Sequence, residues 1–550
     1  MLGGNMKEFL QGILTTKEEF LFPDSTCGVL PQTCRIVTAK NGKSGIQMLL
    51  KTNGRVLELT ADTDDFEVEW YEMRAVPVEY NTGDGQEQGG AMVILAEEKP
   101  PYAVRKAPFY VYDCLMPSSD GTIAASEGAA AAYICIMPRH ATEPGRYAVE
   151  LRAECEEGTN CVIIDVQVFD VEIPRETFQV TNWFSQESIC RFHNLKSGEA
   201  SFYEMARKYA RAMRRARQTM FYLELDASCV KGKDPYMFDF SHLQRIAEIF
   251  FEEGMETLEI GPVLSRGVQE DGMPDMYTDT FKCMAAEDVA LDSMEGYCIT
   301  TRFIKSLADF LHKNGWERNV VVHIHDEPDV HYMDGHTLEA RKRQYFQAAN
   351  ILKKHLPSAK VIEAVKTTEF RGGVDIWVPV SSSYEEEKES FLKLQELGEP
   401  VWNYVCCVPE GSWLNRFLDE AVIHSRLMFW GFEKYGLSGY LHWGFNQFQL
   451  GMDPFEATSC PNHTGIGTNF PCGDAFIVYP GTDGPWYSMR LEAQRRGAED
   501  LELLRLLKER SPDMHDRLIQ RVFESHYTYV DDCEMFAGIY EELLAALSAG

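Results

Sequence analysis

Two adjacent carboxylates, Asp326 and Glu327, close an apolar run that reads Val320-Val321-Val322-His323-Ile324-His325. Four of its first five residues are apolar and β-branched, the composition of a strand covered on both faces. Pro328 then breaks the chain, so the pair falls where a parallel strand opens into its following loop. Such a pair can divide two tasks. One carboxylic acid protonates a departing oxygen, while its ionised neighbour stabilises a developing positive charge or accepts from a donor. The plainer alternative is that Asp326 caps the next turn and Glu327 is solvated.

The elements around the pair decide between these. After Pro174 the chain alternates strand and long amphipathic helix. Eight strand candidates follow one another: Phe178–Phe184, Thr219–Leu225, Thr257–Gly261, Val320–His325, Lys360–Val365, Ile376–Val380, Val401–Cys407 and Gly439–Phe445. Helices are expected over Tyr203–Arg217, Leu243–Glu253, Ile299–Asn314, Leu338–His355 and Leu418–Tyr435. This pattern predicts a (β/α)8 TIM-type barrel, with a doubly wound open sheet as the alternative. No glycine-rich phosphate loop follows any strand, which argues against nucleotide chemistry. On this count the carboxylate pair ends the fourth strand, on the edge where barrel enzymes gather their reactive groups.

Before residue 175 short β-rich runs recur between turn residues: Val56–Leu59, Phe66–Tyr71, Met92–Ala96, Phe109–Tyr112, Ala132–Met137, Tyr147–Leu151 and Val162–Val168. The turns include Asn53-Gly54, Asp84-Gly85, Gly89-Gly90, Pro144-Gly145 and Glu157-Gly158. That rhythm predicts an antiparallel β-sandwich, with Ala124–Ala132 as a loop or short irregular crossing. The expected organisation is multidomain α/β: a β-sandwich over residues 1–175, a catalytic barrel over 176–510, and a C-terminal helical segment over 511–550 packed on the barrel.

The strand ends carry aromatic and amide residues of the kind that hold sugars, whose rings offer apolar C–H faces and a rim of hydroxyls. Trp183 closes the first strand, Tyr404 the seventh, and Trp443 and Asn446 the eighth. His325 precedes the carboxylate pair. Trp183, His325, Tyr404, Trp443 and Asn446 are the candidate substrate contacts, while Trp377 and Trp402 read as core. Adjacent strand residues point to opposite faces, so Asp326 and Glu327 cannot easily flank a sugar from both sides. A twist at the strand end can bring both into one pocket. Glu327, with the longer reach, then suits proton delivery, and Asp326 suits holding a substrate 2-acetamido group that acts as internal nucleophile.

These residues carry a resemblance. The Asp326-Glu327 pair, Trp443-Gly444-Phe445-Asn446, the block Gly473–Gly481 and the run Ser488–Asp500 are similar to segments of glycoside hydrolase family 123 and of the related domain of unknown function 4091. Tyr112–Pro117 and Pro144–Tyr147 resemble parts of that family's N-terminal sandwich. The resemblance implies a retaining, substrate-assisted β-N-acetylgalactosaminidase-like enzyme, with Asp326 stabilising an oxazolinium-like intermediate and Glu327 acting as general acid and then base. Gln447-Phe448 stands where many relatives carry an aromatic directly after the asparagine. The run Arg490–Asp500 reads as a closing helix with Arg–Glu pairing.

Composition bounds the rest. A formal charge of −32 repels polyanions and argues against nucleic-acid partners. The basic run Arg207–Arg217 keeps helical spacing and reads as a solvated helix face. No window approaches the roughly 18–20 apolar residues that span a bilayer. Met1–Phe20 lacks the pattern of a secretory signal, so a cytoplasmic location is expected. The 15 cysteines have no metal-binding spacing and read as reduced core thiols. His323, His325 and His331 read as structural, and neither metal nor cofactor is expected. Two rivals stay open. A protein-nucleophile glycosidase would need a carboxylate after the seventh strand, for which Glu410 is the only candidate. A catalytically inactive carbohydrate-binding barrel is the other.

Overall fold

The computed structural model describes residues 10–52, 56–84, 92–270, 272–465 and 468–549. The chain is multidomain α/β, with a large antiparallel sheet in its N-terminal region. That sheet has eight strands and faces a second of five, across a shared core that includes Met48, Leu50, Ile134, Leu151 and Ile164. Gly158–Phe169 alternates strictly between buried and more exposed positions, the pattern of a strand with one wet face. It also pairs in parallel with Thr33–Ala39, so the five-stranded sheet is not wholly antiparallel as expected. The turn positions Asn53, Gly54, Gly85, Gly89 and Gly90 lie outside the described residues.

The expected loop over Ala124–Ala132 is instead mostly strand. Ala129–Pro138 pairs on both sides, with Ser44–Lys51 and with Phe66–Val78. Small side chains suit it to the middle of this sheet, which has the shared core on one face and a second core on the other. Ser44–Lys51 is buried almost throughout for the same reason. Its Gly45 is required there, because a Cβ would sit 1.9 Å from the Tyr133 hydroxyl.

Eight parallel strands follow: β1 (Gln179–Asn182), β2 (Met220–Glu224), β3 (Thr257–Gly261), β4 (Val320–Val322), β5 (Lys360–Val365), β6 (Ile376–Pro379), β7 (Asn403–Tyr404) and β8 (Gly439–His442). β2 to β6 pair in sequence order, and β8 lies between β1 and β7. Single parallel bridges at Trp377–Val401 and Val380–Tyr404 join β6 to β7. The Thr219 amide donates to the Val180 carbonyl at 3.1 Å, joining the start of β2 to β1. Each strand falls inside an expected run. The fifth expected helix is shorter than its apolar spacing suggests, spanning only His424–Lys434. Asp419, just before it, is held instead by the Thr82 amide and hydroxyl and by Asn81.

Residues 479–488, inside the expected barrel segment, return to the N-terminal sheet: Pro485–Ser488 pairs with Phe109–Ser118. The helix Met489–Arg510 then starts at this seam, capped by Ser488. Its charged residues face inward in pairs. Arg490 binds Asp113 at 3.0 Å, Arg426 binds Asp500 at 2.6 Å, and Arg215 binds Glu492 at 2.8 Å. Arg215 is a correction to the solvated reading of Arg207–Arg217, since its side chain is only 9% exposed and also reaches Glu69. The fifteen cysteines are all free thiols. Among the described residues no helix is long and apolar enough to cross a membrane.

Removing one partner of a buried ion pair strands the other charge in a poorly solvating interior. Asp113→Ala should therefore cost about 3–5 kcal/mol, read as a lower denaturation midpoint. Asp113→Leu with Arg490→Met should recover most of that loss, because no unpaired charge remains.

Candidate active site

β4 ends at Val322, three residues short of the expected strand, and the following backbone leaves the sheet. His323 still anchors it, its amide donating to the Ile260 carbonyl at 2.9 Å. Gly261 permits this close approach, since a Cβ there would meet the His323 carbonyl at 2.7 Å. Glu327 then adopts φ of +50°, left-handed backbone that costs a non-glycine residue roughly 1–2 kcal/mol. This turn is what lets two consecutive carboxylates line one cleft.

Neighbouring side chains hold the turn. The Arg266 guanidinium donates to the carbonyls of Asp326 at 3.1 Å and Glu327 at 2.5 Å. Buried Arg341 donates to the carbonyls of Val330 at 2.7 Å and His331 at 3.1 Å. Asp329 accepts from the amides of Lys366 and Thr367 at the end of β5. The Tyr404 hydroxyl, from β7, donates to Glu327 Oε1 at 2.6 Å. Burial, and then the adjacent Glu327 carboxylate, push Asp326 up to about 7. The Asp326 carboxyl therefore keeps its proton up to near-neutral pH.

Directly behind lies a buried row of charge. His323 Nε2 meets Glu259 Oε1 at 2.6 Å and its Nδ1 meets Glu363 Oε1 at 3.0 Å. Burial alone would lower the imidazole, but the two carboxylates outweigh it and lift His323 to about 10. Burial raises Glu363. Its Oε2 accepts from the Tyr345 hydroxyl at 2.8 Å and the Ile324 amide at 3.1 Å. Glu259 accepts from the Thr181 hydroxyl at 2.6 Å and Trp183 Nε1 at 2.8 Å.

The cleft has a volume of about 500 Å³. Trp183 forms one wall and stacks on Tyr222 at 4.5 Å between ring centres. Trp443 lies in the lining as well, with its Nε1 donating to Asp474 at 3.2 Å. Each indole is thus pinned at its polar edge by a buried carboxylate, leaving a fixed apolar face. Glu224, His331, Gln447 and His463 add polar groups to the lining, and Met92 comes from the N-terminal region.

Of the sequence candidates, Asp326, Glu327, Trp183, Tyr404 and Trp443 meet in this cleft. His325 does not: it is 2% exposed and stacks on Phe281 at 3.8 Å. The bend after Val322 carries it away from the cleft lining. Asn446 is also absent from the lining, because its amide group clamps both backbone groups of Ser185 at 2.7 and 3.1 Å. Trp377 and Trp402 are core residues. Glu410 is buried outside the lining. Tyr222 and Glu224 went unsingled in the sequence, although both sit at the end of the second strand where strand counting could have found them. Among the described residues only Asp226, Cys229 and His242 cluster as a metal could require, and none lines the cleft.

Residues 183–507 match the model of the glycoside hydrolase 123 catalytic domain. Over 98% of both chains the structure resembles a family 123 glycoside hydrolase from Clostridium perfringens, studied for glycolipid glycan hydrolysis, with TM-score 0.70 and 15% identity. A family 39 glycoside hydrolase from Bacteroides cellulosilyticus WH2 aligns over 85% of this chain and 81% of its own, at TM-score 0.38 and 12% identity. No curated protein matches. With the matched stretch covering more than half of its length and containing the carboxylate pair, the chain belongs to glycoside hydrolase family 123.

Proposed function

We propose that the protein removes terminal β-linked N-acetylhexosamine, with N-acetylgalactosamine favoured, by retaining catalysis through the substrate's own 2-acetamido group. The observation that carries this reading is the left-handed turn at Glu327, which aims two consecutive carboxylates into one cleft. Carboxylates joined through one peptide cannot attack a sugar from one face and protonate it from the other, so the nucleophile comes from the substrate. We take the eight parallel strands as a (β/α)8 barrel, supported by the bridges joining β6 to β7 and the amide contact joining β1 to β2.

In the free enzyme the shared proton resides on Asp326, because Tyr404 already donates to Glu327. An acetamido N–H needs an acceptor, so its arrival favours ionised Asp326 and a protonated Glu327. Asp326 then holds the amide while its carbonyl oxygen attacks the anomeric carbon, and Glu327 delivers its proton to the leaving oxygen. In the second half, Glu327 takes a proton from water, which opens the oxazolinium-type ring with net retention. The faces of Trp183 and Trp443 supply apolar platforms for the sugar.

The rival with a protein nucleophile has one candidate in the lining, Glu224, whose carboxyl is raised by burial and then by Asp226. Aryl 2-acetamido-2-deoxy-β-glycosides of both epimers separate the readings. Asp326→Asn and Glu327→Gln should each lower kcat/KM by about 10²–10⁴-fold. Glu410→Gln should be nearly silent, and Glu224→Gln should raise KM more than it lowers kcat. A thiazoline mimic of the cyclic intermediate should inhibit competitively. A covalently trapped Glu224, or no turnover of either epimer, would overturn the proposal.

The pH profile follows from the shared proton. Ionised Asp326 together with ionised Glu327 leaves no acid, so kcat/KM should hold up to about pH 7 and fall above it. In Glu327→Gln the like charge is gone, and the Asp326 carboxyl should titrate closer to the ordinary carboxylate range. Infrared titration of the carboxyl band would show that shift.

A further inference from the structure

We propose that His323, clamped between Glu259 and Glu363, is a positioning residue that sets where the proton of the Asp326–Glu327 pair resides, acting as a fixed buried cation behind the cleft. The inference rests on the substrate-assisted reading, which requires Asp326 to ionise beside Glu327 in the cleft. A carboxylate beside a second one ionises more readily where a nearby positive charge offsets the repulsion.

The geometry supplies that charge and immobilises it. His323 is 1% exposed, and both of its ring nitrogens are committed to carboxylates that are themselves fully buried. The carboxylates come from different strands, Glu259 from β3 and Glu363 from β5, so the imidazolium is held from both sides of β4. Other groups face the row from each packed element. Thr181 and Trp183 come from β1, and the Tyr222 ring from β2 lies 6.1 Å from the imidazole. Tyr345 comes from the helix Gly335–His355, and Arg266 lies over the carboxylate pair. His323 draws Asp326 down while Glu363 pushes it up, so the row acts on Asp326 through an opposed cation and anion.

The row also reaches the substrate wall. Glu259 Oε1 accepts from both His323 and Trp183 Nε1, so one oxygen fixes the charge behind the carboxylates and the orientation of the sugar platform. A purely structural filler would not need to be charged, and the arrangement brings three ionisable groups into a dry interior where mutual pairing and hydrogen bonds from Thr181, Trp183, Tyr345 and the Ile324 amide compensate them. Its placement gives a reason for keeping them.

Opposite substitutions test this, because they change the balance in opposite directions. His323→Gln removes the cation, so the Asp326 titration should move up by about one unit or more, a tenfold change in proton affinity. The alkaline fall of kcat/KM should move with it, and kcat should drop about tenfold while KM changes little. Glu363→Gln removes an anion, so both midpoints should move down. Tyr345→Phe deletes a hydrogen bond to Glu363 without altering charge, so it should lower thermal stability and leave both midpoints in place. The Asp326 titration is read by infrared difference spectroscopy, with Asp326→Asn identifying the band, and needs no substrate. If wild type turns over no 2-acetamido glycoside yet the two titrations still diverge, the function fails and the role of His323 stands. Should His323→Gln not fold, Glu363→Gln against Tyr345→Phe decides. Unmoved midpoints in Glu363→Gln, or shifts of the same sign in both charge variants, would overturn the proposal.

Discussion

Everything at this site depends on one unfavourable backbone conformation, the left-handed turn at Glu327. Without it, strand geometry would send Asp326 and Glu327 to opposite faces. Strain of this kind persists only where surrounding contacts over-determine it. Here they come from several directions: Arg266 and Arg341 grip the carbonyls of residues 326, 327, 330 and 331, and Asp329 ties the loop to the end of β5. His331, four residues on, is left-handed too, so the whole loop is wound tightly against the sheet. Two arginines are thus used to hold backbone rather than to pair with the reactive carboxylates. That choice leaves the carboxylate oxygens turned toward the cleft.

The same economy recurs along the seam with the N-terminal sheet. Asp113, Arg490 and Tyr479 form one buried group, and Arg426, Asp500 and Trp430 another. Apolar packing alone would bury as much surface, but it would not specify which part of the late chain meets which strand. Paired charges do, because a misplaced register leaves a charge stranded. The specificity matters for the cleft, since Met92 from the N-terminal region and Gln447, Gln449, His463, Thr464 and Phe470 all reach its lining.

The strands and helices after residue 175 were legible because each signal is local: a short β-branched run, a helical period, a breaking proline. Strand counting alone put Asp326 and Glu327 at the fourth strand end. What escaped depended on what lies above and below an element. Ala129–Ala132 looks like a loop and is a strand, because only a sheet covered on both faces calls for such small residues. His325 and Asn446 had the right types at the right strand ends. The bend that follows Val322 packs the first against Phe281, and the backbone of Ser185 claimed the second. The Glu259–His323–Glu363 row was invisible for a different reason. Its members lie 64 and 40 residues apart and meet only through lateral pairing of β3, β4 and β5.

That lateral pairing divides the site into a base of strand ends and a rim of loops. In the base the buried Glu259, His323 and Glu363 are paired with one another, so small displacements would strand a buried charge. The rim, to which Gln447, Gln449, His463, Thr464, Phe470 and Met92 contribute, consists of residues outside the eight parallel strands. On the proposed reading, proton transfer and capture of the acetamido group need fixed distances of hydrogen-bond length, which the strand ends provide. Discrimination between epimers and aglycones would then act on hydroxyls further from the reacting bond, toward the rim. On that reading, sequence change in the rim alters which glycan is accepted while the proposed chemistry at Asp326 and Glu327 is left intact.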